Sequence, residues 1–313
     1  MLQLVWRRLA LSVPLLFVVT FLTFLLNSLA PGDLARTMMQ GEGTEAQYLA
    51  LRVELGLDRP LVVQYGHWLG KALQGDLGVS FFTKESVVSL LNGRIGVTLS
   101  IMLGVLIVVV CVGLSLGVMS ALKGGWVGRT IDTLSLVGLV FPSFWVALVF
   151  ISIFAVWLRW LPATGYIPFW QDPRMWLASL VLPVFSVALS SITSVAKQTR
   201  DAMSDVMGRD FIRSLRASGN PERAVIWKHA LRNAALPVVT VLGLVMVGAV
   251  SGTVFVERVF VLPGLGSLAV NAALQNDIVL LQGATLYFTL MTIAINLLVD
   301  LSYGWLNPKV RLA

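Results

Sequence analysis

The sequence predicts an all-α, polytopic membrane protein with six transmembrane helices. Three observations carry that expectation. Of 313 residues, 57% are hydrophobic and only 12% are charged, against about 25% charged in a typical soluble domain. The apolar residues gather into runs of roughly 20 or more, the length a helix needs to cross a hydrocarbon core of ~30 Å. Lipid offers no partner to an open strand, so each run must satisfy its backbone hydrogen bonds internally.

The six spans are expected at about Leu9–Ala30, Val97–Leu122, Ile131–Trp157, Trp176–Ala196, Leu236–Val256 and Val279–Trp305. Several begin or end near Trp, which suits the membrane–water interface. The first run follows Arg7-Arg8 and resembles a signal peptide in outline. It is longer than a signal core, and Pro31 directly follows Ser28-Leu29-Ala30, which could imitate a cut site, so an uncleaved first helix is expected. The single cysteine, Cys111, lies inside an apolar run and is expected to pack there.

The net charge is +7. Its distribution points to membrane orientation and not to a nucleic-acid partner. Fourteen Lys and Arg fall in the two termini and the loops after spans 2 and 4, against three in the loops after spans 3 and 5. Basic residues mark the cytoplasmic side, so both termini and the loop Lys197–Ala235 are expected in the cytoplasm. The division expected is therefore a first helix with an extracytoplasmic lobe (residues 1–96), a five-helix permease core (97–305) holding the loop 197–235, and a cytoplasmic tail (306–313).

The two long loops differ in kind. Pro31–Gly96 has mixed charge, Tyr65, Trp68 and the turn Asp58-Arg59-Pro60, as a small folded lobe would. Lys197–Ala235 reads as helix–turn–helix broken at Gly219-Asn220-Pro221, with Asn220 as cap, Pro221 at the first helical position and Glu222 in the first turn. Its apolar residues Phe211, Ile212, Leu215, Val225, Ile226 and Trp227 call for a packed or docked surface. Small residues at helical spacing, Gly113, Gly117 and Ala121 in span 2 and Gly248 and Gly252 in span 5, are expected to pack helix on helix.

Enzymatic readings find little support. No phosphate loop of the G-x-x-x-x-G-K-[ST] type is present, so ATP is not expected on this chain. His67 and His229 fall in different loops, and with one cysteine they suggest no metal site. Asp300 is the clearest acid within a span. It is expected to be hydrated near the interface or paired with a loop arginine. Asn296 is the other polar candidate in that span.

The segment Arg209–Pro237, RDFIRSLRASGNPERAVIWKHALRNAALP, resembles the cytoplasmic coupling loop of binding-protein-dependent ABC importer permeases. The family pattern is Glu-Ala-Ala, three residues, Gly, nine residues, then Ile-x-Leu-Pro. Arg213-Ser214-Leu215 stand at the first three places, Gly219 at the glycine, and His229-Ala230-Leu231-Arg232 at the last four. This departs from the general pattern at its Glu and Pro and is similar to the dipeptide/oligopeptide/nickel class, in which Leu236-Pro237 follow. Leu55–Leu61, Gly75–Ser80, Phe141–Trp145, Leu161–Gly165, Val256–Phe260, Leu262–Gly266, Asn296–Asp300 and Asn307–Arg311 resemble the same class in order along the chain. Asn307 stands where the class usually has Asp.

The resemblance implies a type I importer permease fold and a transport subunit that is not itself an enzyme. Its implied partners are a second homologous permease, two ATPase subunits that carry ATP and Mg, an extracytoplasmic solute-binding protein and membrane lipid. ATPase coupling falls to Arg213, Leu215, Arg216, Ala217, Gly219, Asn220, Pro221 and Glu222, and a translocation path to Gly248, Ser251, Gly252 and Asn296. The substrate class implied is di- or oligopeptides or a related small solute. A stand-alone secondary carrier or channel is the rival reading, and a scaffold subunit without a solute path is a third.

Overall fold

The computed structural model describes residues 2–29, 35, 36, 39, 43–54, 56–123, 125, 128, 130, 133 and 140–306. Among them the chain is helical, with one isolated bridge between Val79 and Ser86. The helices are α1 (Leu2–Leu29), α2 (Glu45–Glu54), α3 (Leu61–Ala72), α4 (Val87–Lys123), α5 (Ser143–Trp157), α6 (Pro173–Met207), α7 (Asp210–Ala217), α8 (Glu222–Val259), α9 (Leu265–Leu274) and α10 (Ile278–Leu306). Five of these, α1, α4, α6, α8 and α10, are long and apolar enough to cross a membrane, and α5 is a shorter apolar helix.

Helix bounds differ from expectation where hydropathy and helicity part company. α4 begins at Val87, well before Val97. Val87 and Leu91 are fully buried there, while Asn92, Gly93, Arg94 and Gly96 dilute the apolar signal. α6 runs past Ala196 to Met207, because its polar continuation buries Met203 and Val206. α8 begins at Glu222 and not near Leu236. The expected helix–turn–helix loop is thus the end of α6, all of α7 and the start of α8. In the third span Thr133 and Val140 are helical, and a continuous helix runs from Ser143, preceded by Pro142 in extended conformation with ψ 144°. Positions 131, 132 and 134–139 of that span lie outside the described residues, as do Ala30, Arg129 and the tail 307–313.

Contacts divide the chain into two compact units. One comprises Met1–Arg8, Val97–Leu262 and Ala294–Ala313, the other Leu9–Gly96 and Pro263–Ile293.

In the first unit α4 and α8 pack against α6. A Cβ on Gly117 would lie 2.4 Å from Thr199 Cβ and 2.6 Å from the Ala196 carbonyl oxygen, so only glycine permits this approach. A Cβ on Gly113 would lie 3.2 Å from Val195, a looser approach. Asp172 caps α6 by accepting from the Arg174 and Met175 amides at 2.9 and 3.2 Å, with Pro173 at the first helical position. Glu257 is fully buried and accepts from Thr98 Oγ1 at 2.7 Å. Asp300 pairs with Arg8 at 3.0 Å, an arginine of the N-terminal segment.

The second unit is tied by polar contacts between distant segments. Tyr65 of α3 shares a 2.9 Å hydrogen bond with Thr20 and packs edge-on to Phe21 and Phe24 of α1. Gln282 Nε2 donates to the Thr20 carbonyl at 2.8 Å. Asp277 is fully buried; it caps α10 through the Leu280 amide and accepts from Ser80 Oγ at 2.6 Å.

Candidate functional site

Two places in the first unit answer to the sequence-derived sites. The first is the hairpin α7–turn–α8. Its base is a buried cluster of Val118, Met203, Val206, Ile212, Val225, Ala230 and Ala234, with Leu215 and Ile226 packed against it. Ile212 and Val225 are fully buried, whereas Phe211 and Trp227 keep 37% and 53% of their surface exposed. One face of α7 therefore anchors the hairpin and the other remains outside.

The turn is built by main-chain chemistry. Ser218 ends α7 and Gly219 follows with φ +75°, in the left-handed region that favours glycine. The Gly219 amide donates to the Arg216 carbonyl at 3.0 Å and the Asn220 amide to the Leu215 carbonyl at 3.2 Å. This is the Schellman closure of a helix C-terminus. Asn220 was expected to cap the following helix. Its Nδ2 instead donates to the Leu215 carbonyl at 3.0 Å, so it closes the helix before the turn. Pro221, expected at the first helical position, occupies the cap itself, and Glu222 opens α8. A carbonyl left open at the end of α7 was the nearer partner for an amide donor.

Arg216 donates to Glu222 through Nε at 3.0 Å and through a terminal nitrogen at 2.5 Å, bridging the turn. The hydrogen bond to Glu222 raises the Arg216 pKa above its ordinary value, with the slight burial acting against it. Arg213 is exposed and reaches Asp210 at 3.4 Å. Ala217, Gly219, Pro221 and Glu222 are exposed, Asn220 is half-buried, and Leu215 is the one member of the set packed into the base. The hairpin thus presents an exposed apex closed by main-chain and side-chain hydrogen bonds.

The second place is a cavity of about 470 Å³ beside the break before α5. Phe141, Pro142 and Ser143 line it with Ser190, Ser191 and Ser194 of α6 and Gly248 and Gly252 of α8. A Cβ on Gly248 would meet nothing within 4 Å, so this glycine borders open space and not a helix neighbour. Gly252 lies close to Val187 and Ser143 Oγ. Of the four expected pathway residues, Gly248 and Gly252 line this cavity; Ser251 and Asn296 are exposed elsewhere. Ser143, Ser190, Ser191 and Ser194, which also line it, were not among the residues expected there. Their signal was present as the Ser190-Ser191-Ile192-Thr193-Ser194 run inside an apolar span and as Ser143 next to a helix-breaking proline. Among the described residues no group of three His, Cys, Asp or Glu side chains is placed to hold a metal ion.

The family described as binding-protein-dependent transport system inner membrane component matches residues 113–312. Its N-terminal membrane-component family matches residues 1–102. The chain is 40% identical over 313 residues to a peptide transport system permease protein of Brucella abortus (strain 2308), covering 99% of both chains. It is 37% identical over 306 residues to a peptide ABC transporter permease protein of Sinorhizobium fredii, covering 97% of this chain and 98% of that one. It is 36% identical over 313 residues to the glutathione transport system permease protein of Escherichia coli O6:H1, covering 99% of both.

Proposed function

The chain belongs to the family of binding-protein-dependent transport system inner membrane components, and from that membership we propose that it forms part of the path by which peptides cross the membrane. It is a permease subunit of an ABC importer and not an enzyme; it works with ATPase and solute-binding partners in the bacterial inner membrane. The finer assignments follow from this. A second, homologous permease completes the path, ATP and Mg reside on two ATPase subunits, and lipid surrounds the outer faces. The termini and the α7–α8 hairpin face the cytoplasm, as the excess of Lys and Arg there supports.

The observation that carries the pathway assignment is the cavity at the α5 break. Irregular backbone at membrane depth is tolerated where it borders a cavity or is buried in protein. Here the break coincides with four serines and two glycines. Hydroxyls both donate and accept, which suits the amides of a passing peptide without holding it. Relatives named for peptide and for glutathione transport support a peptide substrate.

The turn at Gly219 is the proposed coupling point. A hairpin rooted in the bundle core moves as a body when its apex is pushed, so ATPase closure at the apex reaches α6 and α8 directly. The test is uptake by the reconstituted importer, with its binding protein, of labelled di- and tripeptides against free amino acids and sugars. Peptide-selective, ATP-dependent uptake is expected. Uptake of sugars in preference to peptides would remove the substrate class and leave the family intact.

A further inference from the structure

A second cavity in the first unit is separate from the serine-lined one. It measures about 580 Å³ and is apolar along most of its wall, with Leu114 and Leu242 towards the middle of α4 and α8. At its other end stand Trp227, Lys228 and Arg232, from the start of α8, and Trp305 from the end of α10. The rise from Arg232 to Leu242 is about 15 Å along a helix, half of a ~30 Å hydrocarbon core.

Among the described residues the charges at this end are uncompensated. Lys228 and Arg232 are exposed, and neither has a carboxylate partner among the described residues. Among the described residues no acidic side chain lines the cavity. Trp227 and Trp305 are 53% and 71% exposed, and indoles belong at the level of the lipid headgroups.

We propose that this groove binds an acidic phospholipid. The headgroup phosphate meets Lys228 and Arg232, whose charges hold an anion well when paired with it. An acyl chain lies along Leu114 and Leu242, and the two indoles stand at the ester level. An amphiphile with an anionic head and a tail of half-bilayer length matches the polarity of the groove from end to end. A neighbouring helix would need to place an acid at the same depth to do so. Because Lys228 lies one turn and a half beyond Glu222, the bound lipid ties the second arm of the hairpin to the bilayer.

The experiment is native mass spectrometry of the intact importer in detergent, titrated with phosphatidylglycerol or with phosphatidylcholine of the same acyl chains. Wild type is expected to retain phosphatidylglycerol in preference. The double variant K228Q/R232Q is expected to bind it about thirtyfold more weakly, the ratio two basic contacts of ordinary strength give. A charge-matched control, K71Q/R94Q, keeps the preference. Leu242→Trp, which fills the apolar end and leaves both charges, lowers phosphatidylglycerol retention as well. An unchanged preference in K228Q/R232Q, an equal loss in the control, or full retention in Leu242→Trp overturns the proposal. So does a wild type without preference whose Leu242→Cys thiol is shielded only in the assembled complex, which assigns the groove to a neighbouring subunit.

Discussion

Arg216 and Glu222 clasp each other across the Gly219 turn, the last turn of α7 joined to the first residue of α8 by two hydrogen bonds of 3.0 and 2.5 Å. Both side chains are about half exposed. An exposed pair of this kind contributes little to stability, so its effect lies in the shape of the apex. The carboxylate also stands at a helix N-terminus, where the partial positive charge favours it.

Glu222→Gln and Arg216→Gln are therefore expected to leave the melting temperature of the solubilised complex unchanged and to lower ATP-dependent uptake severalfold. The charge swap R216E/E222R, which restores the pair, recovers most of that loss. Uptake that falls in both single variants and stays low in the swap would mean that the two groups act separately on a partner.

The glycines of α4 and α8 separate packing from transport. Gly117→Val places atoms where Thr199 and the Ala196 carbonyl already are. Overpacking of this kind costs about 1–3 kcal/mol, read as a lower melting temperature of the complex. Gly248→Val meets open space, so the same measurement should hardly move. It narrows the cavity, and peptide uptake should fall while ATPase subunits remain bound. A Gly248 variant with normal uptake would separate this cavity from the path.

Much of the fold was legible because apolar length alone specifies it. α10 is a mostly apolar run whose few polar residues, Gln282, Asn296 and Asp300, do not break it, and its bounds lie within a residue of expectation. α6 and α8 overran their expected ends because Lys197, Arg200 and Arg232 lower hydropathy without ending a helix; Met203, Val206 and Val225 bury what the polar face leaves over. The turn at Gly219 was legible from Gly-Asn-Pro, since few other tripeptides end one helix and start another. Which helix Asn220 would cap was not, because that depends on the Leu215 carbonyl lying within 3.0 Å. The serine lining of the α5 cavity was hidden for a related reason. A serine in an apolar span often bonds its own backbone, as Ser194 does to the Ser190 carbonyl at 3.1 Å, and only the fold brings Ser143 beside it.

Orientation is tested by labelling. In a Cys111→Ala background, made because Cys111 is exposed, a single cysteine at Asn220 should react only from the cytoplasmic side and one at Thr44 only from outside. The charge distribution of the loops predicts this result. Reversed reactivity would overturn the topology and, with it, the placing of the hairpin against the ATPases.

Gly219 offers the sharpest test of the coupling point, because its two constraints come apart. Its φ of +75° is costly for a side-chain-bearing residue, by about 1–2 kcal/mol. Yet a Cβ there would meet nothing within 4 Å, so this chain imposes no steric bar. Asn tolerates the left-handed region better than most residues, whereas a β-branched side chain does not. If backbone geometry alone matters, Gly219→Asn should transport nearly as well as wild type and Gly219→Val should lose most uptake. If a docked ATPase fills the space beyond the apex, both variants should lose uptake, and both should release ATPase during purification. In either case Ala46→Val in the outer lobe should behave as wild type, and all three proteins should insert normally. Near-normal uptake with full ATPase retention in Gly219→Val would falsify the assignment of this turn as the coupling point.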